Sequence, residues 1–169
     1  MSIFRQVIDM QSQSDEELAR ALLSKATELV PVLRSREHAA LAAGQVPAET
    51  IDDFVKAGLF KVLQPARYGG FQLAPKVYFD IARTLAQGCM SSAWVYAVVA
   101  VHNWQLALFD DRAAQDVWGE NPDARMSSSY MPVGKVEVVE GGYRLSGRWA
   151  FSSGSAHCDW IIQIGRAHV

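Results

Sequence analysis

The chain has 169 residues, enough for one domain or for one and a half. Hydrophobic residues make up 50% and charged residues 20%, and the formal net charge is −2, which is typical of a globular protein with a buried core. The sequence contains no basic block that predicts nucleic-acid binding and no apolar run near the ~20 residues that a membrane helix needs. Two cysteines without CxxC spacing favour a reducing compartment, so we expect a cytoplasmic protein.

The first part of the chain carries the pattern of an amphipathic helix. Ser14 and Glu17 have the spacing of a capping box, which predicts that a helix begins there. Pro31 interrupts the pattern, so we expect a kink or a break near Val30 before the helix resumes and ends near Gly44. The apolar stripe of this helix is predicted to consist of Leu18, Leu22, Ala26 and Leu29.

Four more helices are predicted before the pattern changes. Pro47 is expected in the first turn of the first of them, and Gly58 is expected at its end. The third is apolar almost all round, which indicates a central and buried position. The last three are predicted over residues 75–86, 91–109 and 111–118.

The hydrophobic period changes from that of helices to that of strands after Pro122. We predict a strand around Val136, a hairpin turn at Gly141-Gly142 and a return strand that includes residues 149–151. One more strand is predicted over residues 160–164. The predicted fold class is therefore α+β, with a helical domain at 1–122 and the start of an antiparallel β domain at 123–163.

The last six residues, 164–169, do not continue the strand pattern. They can be encoded by ATC-GGA-AGA-GCA-CAC-GTC, which reads as a widely used sequencing adapter. We therefore expect a non-native tail on an amino-terminal fragment, and we assign no role to Arg166 or His168. A natural short protein is the alternative, and an authentic stop codon directly after Val169 in the genomic DNA would support it.

His102 is the first candidate for chemistry. It shares a helix face with Trp94 and Val98, because the three residues recur every four positions. Trp94 and His102 are eight residues apart, which at 1.5 Å per residue is about 12 Å along the helix axis. At this distance the two side chains could lie on either side of a bound aromatic ring. The alternative is a core histidine bonded to a carbonyl, and the pattern alone favours it.

Two hydroxyl-rich segments are the other candidates. Residues 127–130 could line a polar pocket at the start of a strand, or they could form a solvated linker. Residues 147–154 place small hydroxyl residues after an aromatic run, which suits close approach to a flat ligand, or they could be an ordinary strand end. The sequence contains no phosphate-binding loop, no dinucleotide fingerprint and no metal-ligand spacing.

Together these segments resemble the acyl-CoA dehydrogenase superfamily. Tyr68-Gly69-Gly70 after Pro65 is similar to a loop of its amino-terminal domain, and residues 147–154 are similar to its flavin-side strand. Dehydrogenases usually carry Trp-Ile-Thr/Ser and Thr-Glu-Pro where this chain has Phe151-Ser152-Ser153 and the segment 128–132. Both departures resemble the hydroxylase branch, which includes the oxygenase components of 4-hydroxyphenylacetate 3-monooxygenase and of the steroid-catabolic phenol hydroxylase.

The resemblance to hydroxylases implies roles for particular residues. The helix histidine acts on the substrate phenol, and that role falls on His102. A hydroxyl near the start of the sheet supports the flavin hydroperoxide, here Ser128, and a second hydroxyl contacts the reactive flavin nitrogen, here Ser153. The catalytic residues expected are thus His102, Ser128 and Ser153, the substrate-pocket residues Trp94, Val98 and Tyr130, and the flavin contacts Ser128, Ser152, Ser153 and Gly154.

The resemblance also implies an activity for the parent protein. Reduced FMN or FAD from a separate reductase would react with molecular oxygen, and the resulting C4a-hydroperoxide would hydroxylate a small aromatic substrate. The full-length protein would be a homotetramer assembled through a carboxy-terminal helical bundle that this chain lacks. An acyl-CoA dehydrogenase-like oxidoreductase and a non-enzymatic helical interaction module are the two alternatives.

Overall fold

A computed structural model describes residues 3–167, with side chains described for residues 13–165. Within that part of the chain, five α-helices precede a three-stranded sheet, which confirms the predicted α+β class. No helix of the described chain is both long and apolar enough to cross a membrane. The helices are α1 (Ile3–Ala43), α2 (Ala48–Lys56), α3 (Pro75–Ala86), α4 (Met90–Leu106) and α5 (Asp111–Trp118), and the strands are β1 (Met126–Val139), β2 (Gly142–Ser146) and β3 (Trp160–Ala167).

Helix α1 is longer and more continuous than the sequence predicts. It begins by Ile3, so the expected helix start at Ser14 and the expected break near Val30 are both wrong. The helix continues through Pro31 because Leu33 and Ala40, beyond the proline, are buried in the same way as the residues before it. The predicted stripe is confirmed, with Leu22 and Ala26 in the core and Leu18 and Leu29 packed against it.

Helices α2 to α5 lie close to their predicted positions. Helix α3 at 75–86 and helix α5 at 111–118 have the predicted bounds, whereas α4 ends at Leu106 rather than at 109. Pro47 occupies the N-cap position of α2 instead of its first turn. Gly58 follows the end of α2 in the left-handed conformation, with φ of 77°, which glycine adopts without a steric penalty.

The sheet has β1 at its centre. Strand β2 pairs with it antiparallel, and Val139 faces Gly142, so the hairpin turn is Glu140-Gly141, one residue earlier than predicted. Strand β3 pairs with β1 in parallel, which departs from the antiparallel expectation, and it continues past the predicted end at residue 164. The predicted division at residue 122 and the predicted tail at 164–169 stay predictions, and His168 lies outside the described residues.

The segment between β2 and β3 is not the strand predicted at 149–151. The Trp149 indole folds back over Gly134, where an added Cβ would meet it at 2.5 Å, and its Nε1 donates to the Ile164 carbonyl at 3.1 Å. Phe151 has a φ of 60°, which is incompatible with an extended strand. The segment therefore leaves the sheet and turns back toward the helices.

Helix α4 is the element that both halves of the molecule share. It packs on α3 on one side and on β1 on the other. Its inner face contributes buried residues such as Tyr96 and Val99 to the main core, and His102 is 3% exposed. The predicted central position of this helix is confirmed, and it brings the first candidate residues next to the first strand. The helix is not buried all round, however, since Met90, Trp94 and Trp104 are exposed.

Candidate active site

His102 lies on the side of α4 that faces β1. Its Nδ1 makes a hydrogen bond with the carbonyl of Val98, one turn earlier on the same helix. Its Nε2 lies 2.6 Å from the Oγ of Ser128, which follows two residues after the start of β1. The core-histidine alternative anticipated the bond to a carbonyl, but it did not anticipate the second bond to a serine on another element.

The two hydrogen bonds fix the protonation of the imidazole. A carbonyl can only accept, so Nδ1 carries the proton and donates to Val98. Nε2 is then the acceptor, and the Ser128 hydroxyl donates to it. Burial lowers the pKa of His102 below its ordinary 6.5, against the smaller raising effect of the bond to Val98. The histidine is therefore neutral near pH 7, with Nε2 able to take up a proton.

The serines at the start of β1 belong to the interior. Ser127, Ser128 and Ser129 are 1%, 8% and 3% exposed, so the alternative of a solvated linker is wrong for these three residues. Ser129 donates to the carbonyl of Ala150 at 2.7 Å, which holds the outgoing segment near β1. The contact between α4 and β1 accounts for the burial of Ser128, whose hydroxyl reaches His102, while Ser127 and Ser129 point to the opposite face of the strand.

Tyr130 lies two residues beyond Ser128, on the same face of β1. Its ring stacks on the His102 imidazole, with centroids 6.1 Å apart and planes 22° apart. Its hydroxyl donates to the side-chain oxygen of Gln105 at 2.8 Å. Gln105 is three residues after His102, and the spacing alone would have placed it on the same helix face. The sequence argument nevertheless overlooked it.

A second group of candidates lies toward the amino-terminal end of α4. The Trp94 indole, 60% exposed, donates from Nε1 to the Oγ of Ser153 at 3.2 Å. Both residues line a cleft of about 780 Å³ between the end of α1, the start of α4 and the turn at 153–157. Gly154 belongs to the same cleft, whereas His102 and Ser128 do not line it.

The turn that carries Ser152 and Ser153 is fixed from several sides. Gly154 has a φ of 79°, and a Cβ at this position would meet Val99 at 2.9 Å, so the backbone lies directly against α4. His157 donates from Nε2 to the carbonyl of Val46, 111 residues away, at 3.0 Å. The Ser152 Oγ is buried and has no hydrogen-bond partner within the described chain. A buried hydroxyl without a partner is what a site for a polar ligand leaves open.

The structure thus divides the predicted site residues into two groups. His102, Ser128 and Tyr130 come together with the Val98 carbonyl, and Trp94, Ser153 and Gly154 meet at the cleft. The bond from His157 to Val46 had no signal in the sequence, because nothing in the spacing of the two residues predicts it. Among the described residues, no group of three or more histidines, cysteines or carboxylates is placed to hold a metal ion.

A comparison with known protein families identifies the fold that positions these two groups. The model of the acyl-CoA dehydrogenase amino-terminal domain matches residues 13–118, more than half of the chain. The chain belongs to this family. The family domain covers the helices from α1 to α5, including the helix that carries Trp94 and His102, and the candidate serines follow it.

Its relatives include proteins whose names state a hydroxylation. The chain is 44% identical over 147 residues to the oxygenase subunit HsaA of a flavin-dependent monooxygenase from Mycobacterium tuberculosis, covering 87% of this chain and 37% of that protein. It is 38% identical to the oxygenase component of an FADH2-dependent resorcinol hydroxylase from a Rhizobium species, covering 83% and 34%. Among solved structures, XiaF from a Streptomyces species, in complex with FADH2 and glycerol, matches with a TM-score of 0.88 at 26% identity, covering 94% and 40%.

These matches confirm the predicted resemblance to the hydroxylase branch of the superfamily. This chain spans between 34% and 40% of the length of these three relatives. The similarity extends beyond the family domain, since 94% of the chain superposes on one of them. The five helices and the start of the sheet therefore have the fold of the first part of an acyl-CoA dehydrogenase-type protein.

Proposed function

We propose that the chain forms part of the oxygenase component of a two-component monooxygenase that hydroxylates a phenolic substrate with reduced flavin and molecular oxygen. The observation that carries this proposal is the buried hydrogen bond between His102 and Ser128, which gives the site a neutral base beside a hydroxyl. The names of the relatives support the reaction class. The buried Ser152 hydroxyl without a hydrogen-bond partner among the described residues supports a cofactor site on the turn at 152–154.

His102 and Ser128 would act together on the hydroxyl of the substrate. The Ser128 hydroxyl donates a hydrogen bond to Nε2, so the lone pairs of its oxygen are free to accept a proton from a phenol. As Ser128 takes up the phenol proton, it passes its own proton to Nε2, and the resulting phenolate ring becomes more nucleophilic. The bond from Nδ1 to Val98 holds the imidazole in the tautomer that this transfer needs.

The flavin would lie against the turn that follows β2. Ser152, Ser153 and Gly154 are the residues proposed to hold it, and the unpartnered Ser152 Oγ fits a hydrogen-bonding flavin edge. Ser128 was expected to contact the flavin, but its bond to His102 favours a role on the substrate side. The reduced flavin supplies the reaction with oxygen, and the FADH2 of two relatives favours FAD over FMN.

Trp94 would form one wall of the substrate pocket. Its indole donates a hydrogen bond to Ser153 and lies on the same helix face as Val98 and His102, so an aromatic substrate between Trp94 and His102 would contact both residues. The apolar surroundings would exclude water from the reacting oxygen. Trp94, Val98 and Tyr130 are thus proposed as substrate-pocket residues.

The remaining parts of the proposal concern the whole protein. A separate reductase would supply the reduced flavin, because the relatives are named as oxygenase components or subunits. A homotetramer in the cytoplasm, with neither nucleic acid nor membrane as partner, completes the proposal.

A grafted oxygenase tests the proposed function. We would replace the matching region of the M. tuberculosis HsaA protein with residues 13–163 of this chain, load it with reduced FAD, and mix it with oxygen and a panel of phenols. Hydroxylated product, measured by mass spectrometry, is the expected result, with HsaA itself as the control. If the graft folds and binds flavin yet releases only hydrogen peroxide with every phenol, the proposal fails. Flavin reduction by an acyl thioester would support the dehydrogenase alternative.

A further inference from the structure

Gln105 connects α4 to β1 beside the pair formed by His102 and Ser128. Its side-chain oxygen accepts a hydrogen bond of 2.8 Å from Tyr130, two residues along β1 from Ser128. Residues three apart on a helix and two apart on a strand each share a face. The two elements are therefore joined by two neighbouring side-chain bonds, one from Ser128 to His102 and one from Tyr130 to Gln105.

Tyr130 lies on the outer side of this arrangement. The tyrosine is 57% exposed, whereas the imidazole on which its ring stacks belongs to a residue that is 3% exposed. The phenol ring thus has water near it and the buried histidine beneath it. Such an exposed ring needs a second contact to hold its orientation, and the bond to Gln105 is the side-chain hydrogen bond that Tyr130 makes.

We propose that Gln105 is a positioning residue that holds Tyr130 as a cover over the His102 imidazole. Its side-chain oxygen fixes the tyrosine hydroxyl, and the fixed ring limits the access of water to the imidazole. The cover itself is a property of this chain. Its catalytic use rests on the proposed function: a base that takes a proton from a phenol works best when water does not compete for it.

The cover is tested on the 169-residue chain by the reactivity of His102. Diethyl pyrocarbonate modifies accessible imidazoles, and mass spectrometry of the peptides gives the rate at His102 relative to the exposed His38. Gln105→Met removes the acceptor at similar volume, and Tyr130→Phe removes the donor but keeps the ring. One hydrogen bond of ordinary net strength corresponds to about a two- to tenfold change in the population of an open cover, so each variant should raise the relative rate by that factor.

Two further variants separate positioning from general damage. Gln105→Glu keeps an accepting oxygen and should retain most of the protection, whereas the double variant Gln105→Met with Tyr130→Phe should react no faster than either single variant. An unchanged rate in Gln105→Met overturns the proposal. Multiplied effects in the double variant also overturn it, because the two residues would then act separately. If Gln105→Met does not fold, by circular dichroism, the comparison of Tyr130→Phe with wild type decides alone, and an unchanged rate overturns the proposal.

The same variants in the grafted oxygenase test the catalytic consequence. We expect a lower ratio of hydroxylated product to hydrogen peroxide, with little change in flavin affinity, because Gln105 does not line the cleft that Ser153 and Gly154 line. A graft that makes no product even with Gln105 intact contradicts the proposed function, whereas protection of His102 in the isolated chain would still support the cover. The two failures are therefore distinguishable.

Discussion

Helix α4 contributes one residue to each of two groups of candidate residues, and the two groups differ in burial and in hydrogen bonding. His102 and Ser128 are both buried and lie 2.6 Å apart, and each hydrogen-bonding atom of the imidazole has a partner. Trp94 and Ser153 lie 3.2 Å apart at the edge of an open cleft of about 780 Å³. The imidazole of the first group thus has both of its hydrogen bonds, whereas the Ser152 hydroxyl, next to Ser153, is buried without a partner among the described residues.

The difference matches the tasks proposed for the two groups. A proton acceptor gains from a fixed tautomer and a dry environment, which the contact of α4 with β1 supplies by itself. A cofactor site must instead stay open until the cofactor arrives, since its hydrogen-bonding groups are satisfied by the ligand. Removing a hydrogen-bonding side chain from the buried group should therefore affect both chemistry and stability, whereas removing one at the edge of the cleft should change stability little.

The largest expected effect is on chemistry at the buried group. In the grafted oxygenase, His102→Ala should lower the yield of hydroxylated product by about 100-fold, the lower range for loss of a general base, while oxygen consumption continues and hydrogen peroxide is released. Product and peroxide are measured in the same reaction. Glu140→Ala, in the exposed hairpin turn, serves as the control. If the His102→Ala variant gives the wild-type yield of hydroxylated product, His102 is not the base.

The next effect concerns the turn of the second group. Gly154→Ala should lower the free energy of unfolding of the chain by about 2–4 kcal/mol, because left-handed strain adds to overpacking against Val99. Gly141→Ala is the matched control: its φ is also 79° but nothing lies within 4 Å of the added Cβ, so about 1 kcal/mol is expected. Urea denaturation followed by circular dichroism measures both. Equal losses would mean that the turn does not press on α4.

A third pair of variants tests how much the hydrogen bonds of each group contribute to stability. Ser128→Ala leaves the buried Nε2 of His102 without a partner, so about 1–3 kcal/mol of the free energy of unfolding should be lost. Ser153→Ala frees an indole N–H that is near water, so a change within about 0.5 kcal/mol is expected. The urea midpoints of the two variants show which one loses more stability. A larger loss of stability in Ser153→Ala than in Ser128→Ala would contradict the difference between the two groups.

The sequence predicts most of the helices but less of the sheet. Helices α3 and α5 have strong local signals, and their bounds agree with the structure. The capping box at Ser14 is also a local signal, but the helix already continues through it, so the serine has no free helix end to cap. The parallel pairing of β3 with β1 depends on contacts more than 30 residues apart, which the period of the hydrophobic residues does not encode.

The sequence predicts which residues belong to the candidate site, but it does not predict which of them contact each other. His102 and Ser128 were both candidates, but for different tasks, and the bond between them requires the docking of β1 on α4. Gln105 could have been placed on the helix face of His102 by its spacing, but its bond to Tyr130 depends on the position of β1. Single residues can be selected from residue type and helix spacing, whereas pairs across elements depend on the tertiary fold.

The smallest expected effect is the pH dependence of stability that the buried group confers. Burial lowers the pKa of His102 in the folded chain below the 6.5 of an ordinary histidine. Below pH 6.5 the unfolded chain therefore binds more protons at this residue than the folded chain does, so its contribution to stability is complete above 6.5 and is lost as the pH falls. The free energy of unfolding should fall less between about pH 7.5 and about pH 5.5 in His102→Gln than in wild type. Ser153→Ala changes no titrating group, so its pH dependence should match that of wild type, and a His102→Gln chain with the wild-type slope would show that the imidazole does not contribute.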